Sequence, residues 1–242
     1  MYNCVPNRFF LVLLSLLMPI VFALPLNQAK AGPKEQELVS IQKRYRSMTS
    51  ISFSFLQQTT VSGRLRTGEG NAVFLRNKAE NSKNNKPDTI VMRWDYLKPS
   101  VQTIVNTGNE ISIYTKDDKQ LIISSADQLE ADIVYAVFSG NTSLDEAFIP
   151  AEELAEEVLT GDDTTGVLHV RPSSPHPQLQ RLTLWYSPDY IIKKIAMEDQ
   201  LGSVTTLSFS RIAIDSPALM KKNAGQAIAH IAVPEDTEII RQ

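Results

Sequence analysis

Three histidines, one cysteine and a few adjacent carboxylates are the side chains with chemistry to offer in this sequence. His169, His176 and His230 are scattered, and no two stand at the i, i+4 helical spacing by which a zinc enzyme aims two imidazoles at one ion. Each is expected to be structural or solvent-facing; His176 sits between Pro175 and Pro177. Among the carboxylates, Asp117-Asp118 falls at a turn, and Glu152-Glu153 with Glu156-Glu157 runs along a helical segment. A glycosidase needs two carboxyls facing each other across a sugar, one kept protonated by its surroundings. Acidic pairs at turns and on helix faces are ordinarily solvated instead. No Gly-x-Ser-x-Gly elbow, phosphate loop or dinucleotide fingerprint is present, and Ser139-Gly140 and Gly202-Ser203 read as turn pairs. The expectation is a chain that is not an enzyme and uses no metal or cofactor. A carboxylate-dependent hydrolase is the catalytic alternative.

Charge and targeting narrow the partners. Hydrophobic residues make up 43% of the 242 and charged residues 21%, enough for a packed core. The first 31 residues hold Arg8 and Lys30 and no acid, which leaves 22 basic against 27 acidic residues, or −5, for the remainder. A mildly acidic protein gains nothing from phosphate counterion release, so nucleic acid is not expected as a partner. Arg8 precedes the apolar run Phe9 to Met18, which resumes after Pro19 as Ile20 to Leu24. Two small-residue cleavage sites follow, Val21-Phe22-Ala23 and Ala29-Lys30-Ala31. This reads as a secretory signal peptide spanning residues 1–31, with Ala31 the better-fitting cut and Ala23 the other. Residues 32–242 are then the exported domain. Cys4 lies ahead of the apolar run, so that domain has no thiol and no disulfide, and packing and backbone pairing alone hold it together.

The hydrophobic pattern changes period along the domain. Leu38, Ile41, Tyr45 and Met48 recur every three or four residues and predict a helix over Lys34–Met48. Ile51 to Phe55 then alternates strictly, as a strand buried on one side does. Strands are predicted over Thr67–Arg76, Thr89–Tyr96, Val101–Asn106, Glu110–Thr115 and Lys119–Ser124, with Asn77–Lys86 as a polar loop. Helical segments are predicted over Ala126–Phe138, Leu144–Phe148 and Pro150–Leu154. Strands resume over Ala155–Leu159, Val167–Arg171, Leu179–Tyr186, Ile191–Met197 and Val204–Ile214, with a last one over Ala227–Val233. The fold class is mostly β with helices (α+β): an incomplete antiparallel barrel of about ten to eleven strands whose apolar concave face is covered by helices. Alternation puts Phe53, Phe55, Phe74, Met92 and Trp94 on that face, where they are the candidate lining of a cavity.

A longer constellation resembles a known family. Phe55-Leu56-Gln57-Gln58, Gly68-Glu69-Gly70, Arg76, Lys86-Pro87, Met92-Arg93-Trp94-Asp95-Tyr96, Lys98-Pro99, Gln102 to Val105, Gly108, Ile113-Tyr114, Lys119-Gln120, Leu129 to Phe138 and Ile231 to Pro234 follow in the order and spacing of LolA, the periplasmic carrier of outer-membrane lipoproteins. The resemblance implies a barrel with a helical lid that holds lipoprotein acyl chains without any cofactor. It also implies an inner-membrane ABC transporter of the LolCDE type as loader, a LolB-like acceptor at the outer membrane, a periplasmic location and a monomer. An arginine that latches the lid corresponds to Arg76, with Lys86 as the alternative because Asn77–Lys86 separates Arg76 from the proline that usually follows it. A carrier for another lipid or glycolipid tied to a dedicated exporter, and a sensor of lipoprotein stress, are competing readings within the same fold.

Overall fold

The computed structural model describes residues 32–77, 89–126, 133–139, 143–151, 166–219, 221 and 223–242. The leader, Lys86 and most of its loop, residues 127–132 of the Ala126–Phe138 helix, residues 152–154 of the Pro150–Leu154 helical segment and Ala155–Leu159 lie outside these residues.

Helix α1 spans Pro33–Ser47. Pro33 pre-sets its first turn, Glu35 lies near its N-terminus, and Arg44 and Arg46 lie near its C-terminus, where each complements the helix dipole. Leu38, Ile41 and Tyr45, with Met48 just beyond, form the buried stripe that the sequence predicts. The chain then forms a long hairpin of β1 (Ser50–Val61) and β2 (Arg64–Asn77). Ser62 and Gly63 turn it at φ 49° and 75°, the doubly positive geometry whose twist matches paired strands. Strands β3 (Thr89–Lys98), β4 (Gln102–Asn106), β5 (Glu110–Thr115) and β6 (Gln120–Ser125) follow as a meander. After α2 (Ile133–Ser139) and α3 (Leu144–Ala147) come β7 (Phe148–Pro150), β8 (Gly166–Pro172), β9 (Arg181–Tyr186), β10 (Ile192–Glu198) and β11 (Val204–Ile214). Helix α4 (Ala224–Ala229) and β12 (Glu238–Arg241) complete the chain.

The twelve strands form one sheet in the order β12-β6-β5-β4-β3-β2-β1-β11-β10-β9-β8-β7. Its centre is the pairing of β1 with β11, which joins the early meander to the late one. The end strands are not neighbours, so the sheet stays open, as expected for an incomplete barrel. The face toward α1–α3, called inner below, carries the main core.

Two expected elements are corrected. Phe148–Pro150 is a strand paired with β8, not the end of a helical segment; Pro150 disfavours helical backbone at Ile149, so the helix stops at Ala147. Ala227–Val233 is not the final strand. Its first residues belong to α4, whose Ile228 packs on Leu75 and Val91 on the outer face. The final strand is Glu238–Arg241, and it pairs parallel with β6.

The two halves are tied through a buried phenol. The Ile192 N–H donates to Tyr45 Oη at 3.0 Å, and burial pushes the Tyr45 hydroxyl well above its ordinary pKa. Tyr45→Phe leaves that buried N–H without its acceptor and is expected to cost about 1–3 kcal/mol in urea unfolding. An unchanged unfolding midpoint would show that the bond contributes nothing.

Candidate functional site

Strand register builds the inner face. Phe55 lies opposite Gly70, Phe53 opposite Ala72 and Ile51 opposite Phe74, while Ala72 and Phe74 face Trp94 and Met92 on β3. On the other side of β1, Phe55 faces Phe209 and Gln57 faces Leu207. Large rings thus alternate with small residues. A Cβ at Gly70 would lie 2.0 Å from Asp95 O and 2.8 Å from the Phe55 ring, so glycine is what lets β3 and that ring approach.

The rings pack as one cluster with Phe53 at its hub. Its centroid lies 4.7 Å from Phe209, 5.0 Å from Phe138, 5.6 Å from Trp94 and 6.1 Å from Phe74. Phe55 reaches Trp94 at 4.7 Å and Tyr96 at 4.9 Å. Phe138 comes from α2, not from the sheet. It stacks on Phe74 at 5.0 Å and meets Phe209 and Tyr45 edge-on at 5.3 Å. One helix residue therefore plugs the centre of the apolar face.

Arg76 holds that helix. It sits at the end of β2 on the same side as Ala72 and Phe74, and its Nη2 donates to Ser139 O, the last carbonyl of α2, at 2.6 Å. Its Nε donates to Met48 O at 3.3 Å, and its backbone N–H donates to Thr49 O at 2.8 Å. A cation at a helix C-terminus satisfies a carbonyl that lacks a partner in the helix and complements the dipole. The same junction is fixed from β11, where the Asp215 carboxylate accepts the Thr49 and Ser50 N–H groups at 2.7 and 2.9 Å.

Beside the cluster the described residues leave a cavity on the inner face. It measures about 240 Å³ and is lined by Met92, Trp94, Tyr96, Ile104, Ile111, Ile113, Val134, Met197 and Leu207, with Gln57 and Thr205 as its polar members. No charged side chain lines it among the described residues. The five candidate lining residues are all buried, none more than 7% exposed, but the structure divides them. Met92 and Trp94 line the open cavity; Phe53 and Phe74 pack against Phe138, and Phe55 packs on Trp94 and Tyr96. The isoleucines of β4 and β5, at alternate positions of predicted strands, complete the wall, and parity identifies them once the register is known.

Two of the histidines hydrogen-bond within the protein. His169 Nδ1 hydrogen-bonds Thr183 Oγ1 at 3.0 Å across β8 and β9, and His176 Nδ1 accepts the Gln178 N–H at 3.2 Å. Among the described residues no three His, Cys, Asp or Glu side chains could share a metal ion. Arg93, next to Trp94, has a role that the sequence reading does not assign. It donates to Ile228 O and His230 O at 3.3 and 2.8 Å, holding the end of α4 on the outer face, while Asp95 accepts its Nε at 2.7 Å.

The chain is similar to known proteins. The family model described as outer membrane lipoprotein carrier protein LolA matches residues 46–218. An outer-membrane lipoprotein carrier protein of Nitrosomonas europaea is 26% identical over 149 residues, 62% of this chain and 66% of its own length. One of Nitrosospira multiformis is 27% identical over 120 residues, 50% of this chain and 55% of its own length. The chain thus spans less than two thirds of the length of the curated relatives it matches. Among solved structures, a LolA superfamily protein of Nitrosomonas europaea aligns over 80% of this chain and 99% of its own, at 16% identity and TM-score 0.38.

Removing the guanidinium tests whether it secures α2. Arg76→Ala is expected to cost the closed state about 2 kcal/mol for its charged hydrogen bonds, which is roughly a 30-fold rise in the open fraction. Amide exchange of Val137 and Phe138 reads that rise directly. Arg76→Lys should fall between, since an ammonium lacks the planar fork that serves two carbonyls at once. Unchanged exchange in Arg76→Ala would mean that apolar packing alone seats the helix.

Proposed function

We propose, on the premise that this chain belongs to the LolA family of outer-membrane lipoprotein carriers, that it works in the periplasm as a carrier of acyl chains. Its cargo is lipoproteins released from the inner membrane by a LolCDE-like transporter and passed to a LolB-like acceptor. The observation that carries this reading is Phe138 seated among Phe53, Phe74 and Phe209, beside a cavity with no charged lining among the described residues.

Acyl chains gain about 0.8 kcal/mol per buried CH₂, so a face this apolar offers a strong sink for them. The open cavity, about 240 Å³, is smaller than the roughly 300–1,000 Å³ of ordinary ligand pockets. A multi-chain lipid therefore enters only as Phe138 withdraws and Phe53, Phe55 and Phe74 become cavity wall. Loading trades ring–ring contacts for ring–chain contacts of the same kind, so the protein gives up little contact energy as the acyl chain leaves water. Arg76 adds a polar increment that favours closure, which supports its assignment as the latch. The mechanism makes and breaks no covalent bond, and the chain's own part in it is to exchange covers on an apolar surface. A proteolytically trimmed chain beginning at Gly32 retains all of these groups.

Residues 32–242 added to sphaeroplasts are expected to bring triacylated lipoproteins into the supernatant, bound to the added protein. Release that does not depend on the protein sinks lipoprotein carriage. Another lipid recovered from the purified protein, without lipoprotein release, would instead assign it to a dedicated lipid exporter.

A further inference from the structure

One side of the cavity carries Gln57, Tyr96 and Thr205, and Thr59 beside them completes a chain of hydrogen bonds. Tyr96 Oη donates to Gln57 Oε1 at 2.9 Å, Gln57 Nε2 reaches Thr59 Oγ1 at 3.4 Å, and Thr59 Oγ1 meets Thr205 Oγ1 at 3.1 Å. Strands β3, β1 and β11 each contribute, and Gln57, Thr59 and Thr205 share the inner parity of β1 and its partner. These four are half-buried, whereas Met92, Ile111 and Val134, which also line the cavity, are buried. The cavity thus runs from an apolar floor to a polar rim.

Counting hydrogens shows what the rim has to spare. A glutamine amide carries two N–H donors, and the bond to Thr59 uses one, weakly. The two threonine hydroxyls share a single hydrogen between them, so the other remains to donate. The rim therefore offers donors at the level where a chain leaves the apolar floor. Ester and amide carbonyls, the groups that join acyl chains to a head, accept hydrogen bonds and offer nothing back. They are the complement of this rim. A saturated hydrocarbon stem passing here would strip water from the donors without replacing it.

Resting on the carrier reading, we infer that Gln57, with Tyr96, Thr59 and Thr205, forms a carbonyl-recognising rim that fixes how deep an acyl chain descends and distinguishes acyl from alkyl chains. The head beyond the carbonyl projects past Thr59 toward exposed Arg66, its cross-strand neighbour. The carbonyl can come from a lipoprotein or from a glycerolipid.

The test compares ester-linked lipids with ether-linked analogues of equal chain length, which lack only the carbonyls. Bromine on the chains quenches Trp94, which lines the cavity, whereas Trp185 does not line it. The probes are diacylglycerol, phosphatidylglycerol and a triacylated cysteinyl peptide, with dialkyl versions of the two glycerolipids. The ester is expected to bind about fivefold more tightly than its ether, the worth of roughly one hydrogen bond. Gln57→Leu should remove that preference by weakening the ester alone. Thr205→Val, which keeps the side-chain shape, should reduce it and guards against a Gln57→Leu that fails to fold. Equal ester and ether binding in the unaltered protein, or a preference surviving both substitutions, overturns the rim. Ester preference for glycerolipids without binding of the triacylated peptide keeps the rim and overturns lipoprotein carriage. No quenching by any probe overturns both.

Discussion

An open sheet with an apolar face must be covered, and here rings from several elements meet over it. Phe53 sits at the centre of that requirement, in contact with rings from β2, β3, β11 and α2. A buried phenylalanine contributes about 1.5–3 kcal/mol relative to exposure, so Phe138 is a substantial plug, and under the proposed function a lipid chain takes its place. The remaining architecture supports this exchange. The long hairpin presents the face, Gly70 lets its rings close up, and α1 braces the late meander through Tyr45.

The two arginines repeat one device on opposite faces of neighbouring strands. Arg76 on β2 holds the last carbonyl of α2, and Arg93 on β3 holds the carbonyls that end α4. A helix of 6 residues such as α4 is too short to be stable alone, and the 7 described residues of α2 make few internal hydrogen bonds. Each depends on the sheet for an apolar seat and on an arginine for its free end. The difference lies in what the seats are: α4 rests on the small cluster of Leu75, Val91 and Ile228, whereas α2 inserts a ring into a face that continues into an empty cavity.

Much of this was legible from period alone. Strict alternation from Ile51 to Phe55 separates a buried side from an exposed one, and the same parity carried through β2 and β3 identifies five residues that are buried in the structure. The hairpin of 12 and 14 residues was harder to see, because its outer half is polar on both sides and the alternation fades after Phe55. The stretch Ala227–Val233 misled because apolar residues recur in it at strand-like spacing. A corrective signal did exist. Ala72 to Leu75 and Ile90 to Met92 are unbroken apolar runs, which mark strands covered on both faces. Such strands need a second cover, and α4 is it. The plug itself was out of reach, since Phe138 is an ordinary helix residue until tertiary contact decides what it touches. So was the division of the inner face into filled and empty parts, which depends on where α2 comes to rest.

The way the sheet ends has a bearing on crowding. A carrier must circulate as a separate molecule, and an unclosed ladder is a template on which a second copy could add strand to strand. In the order of the described strands, one terminal rung is three residues long and finishes on Pro150, which has no N–H to offer. The other is four residues, bounded by Glu238 and Arg241, laid parallel on β6 by a chain returning from the opposite end of the domain. Both borders are too short and too interrupted to propagate fibres. The described ends of the sheet therefore offer a second copy little ladder to extend.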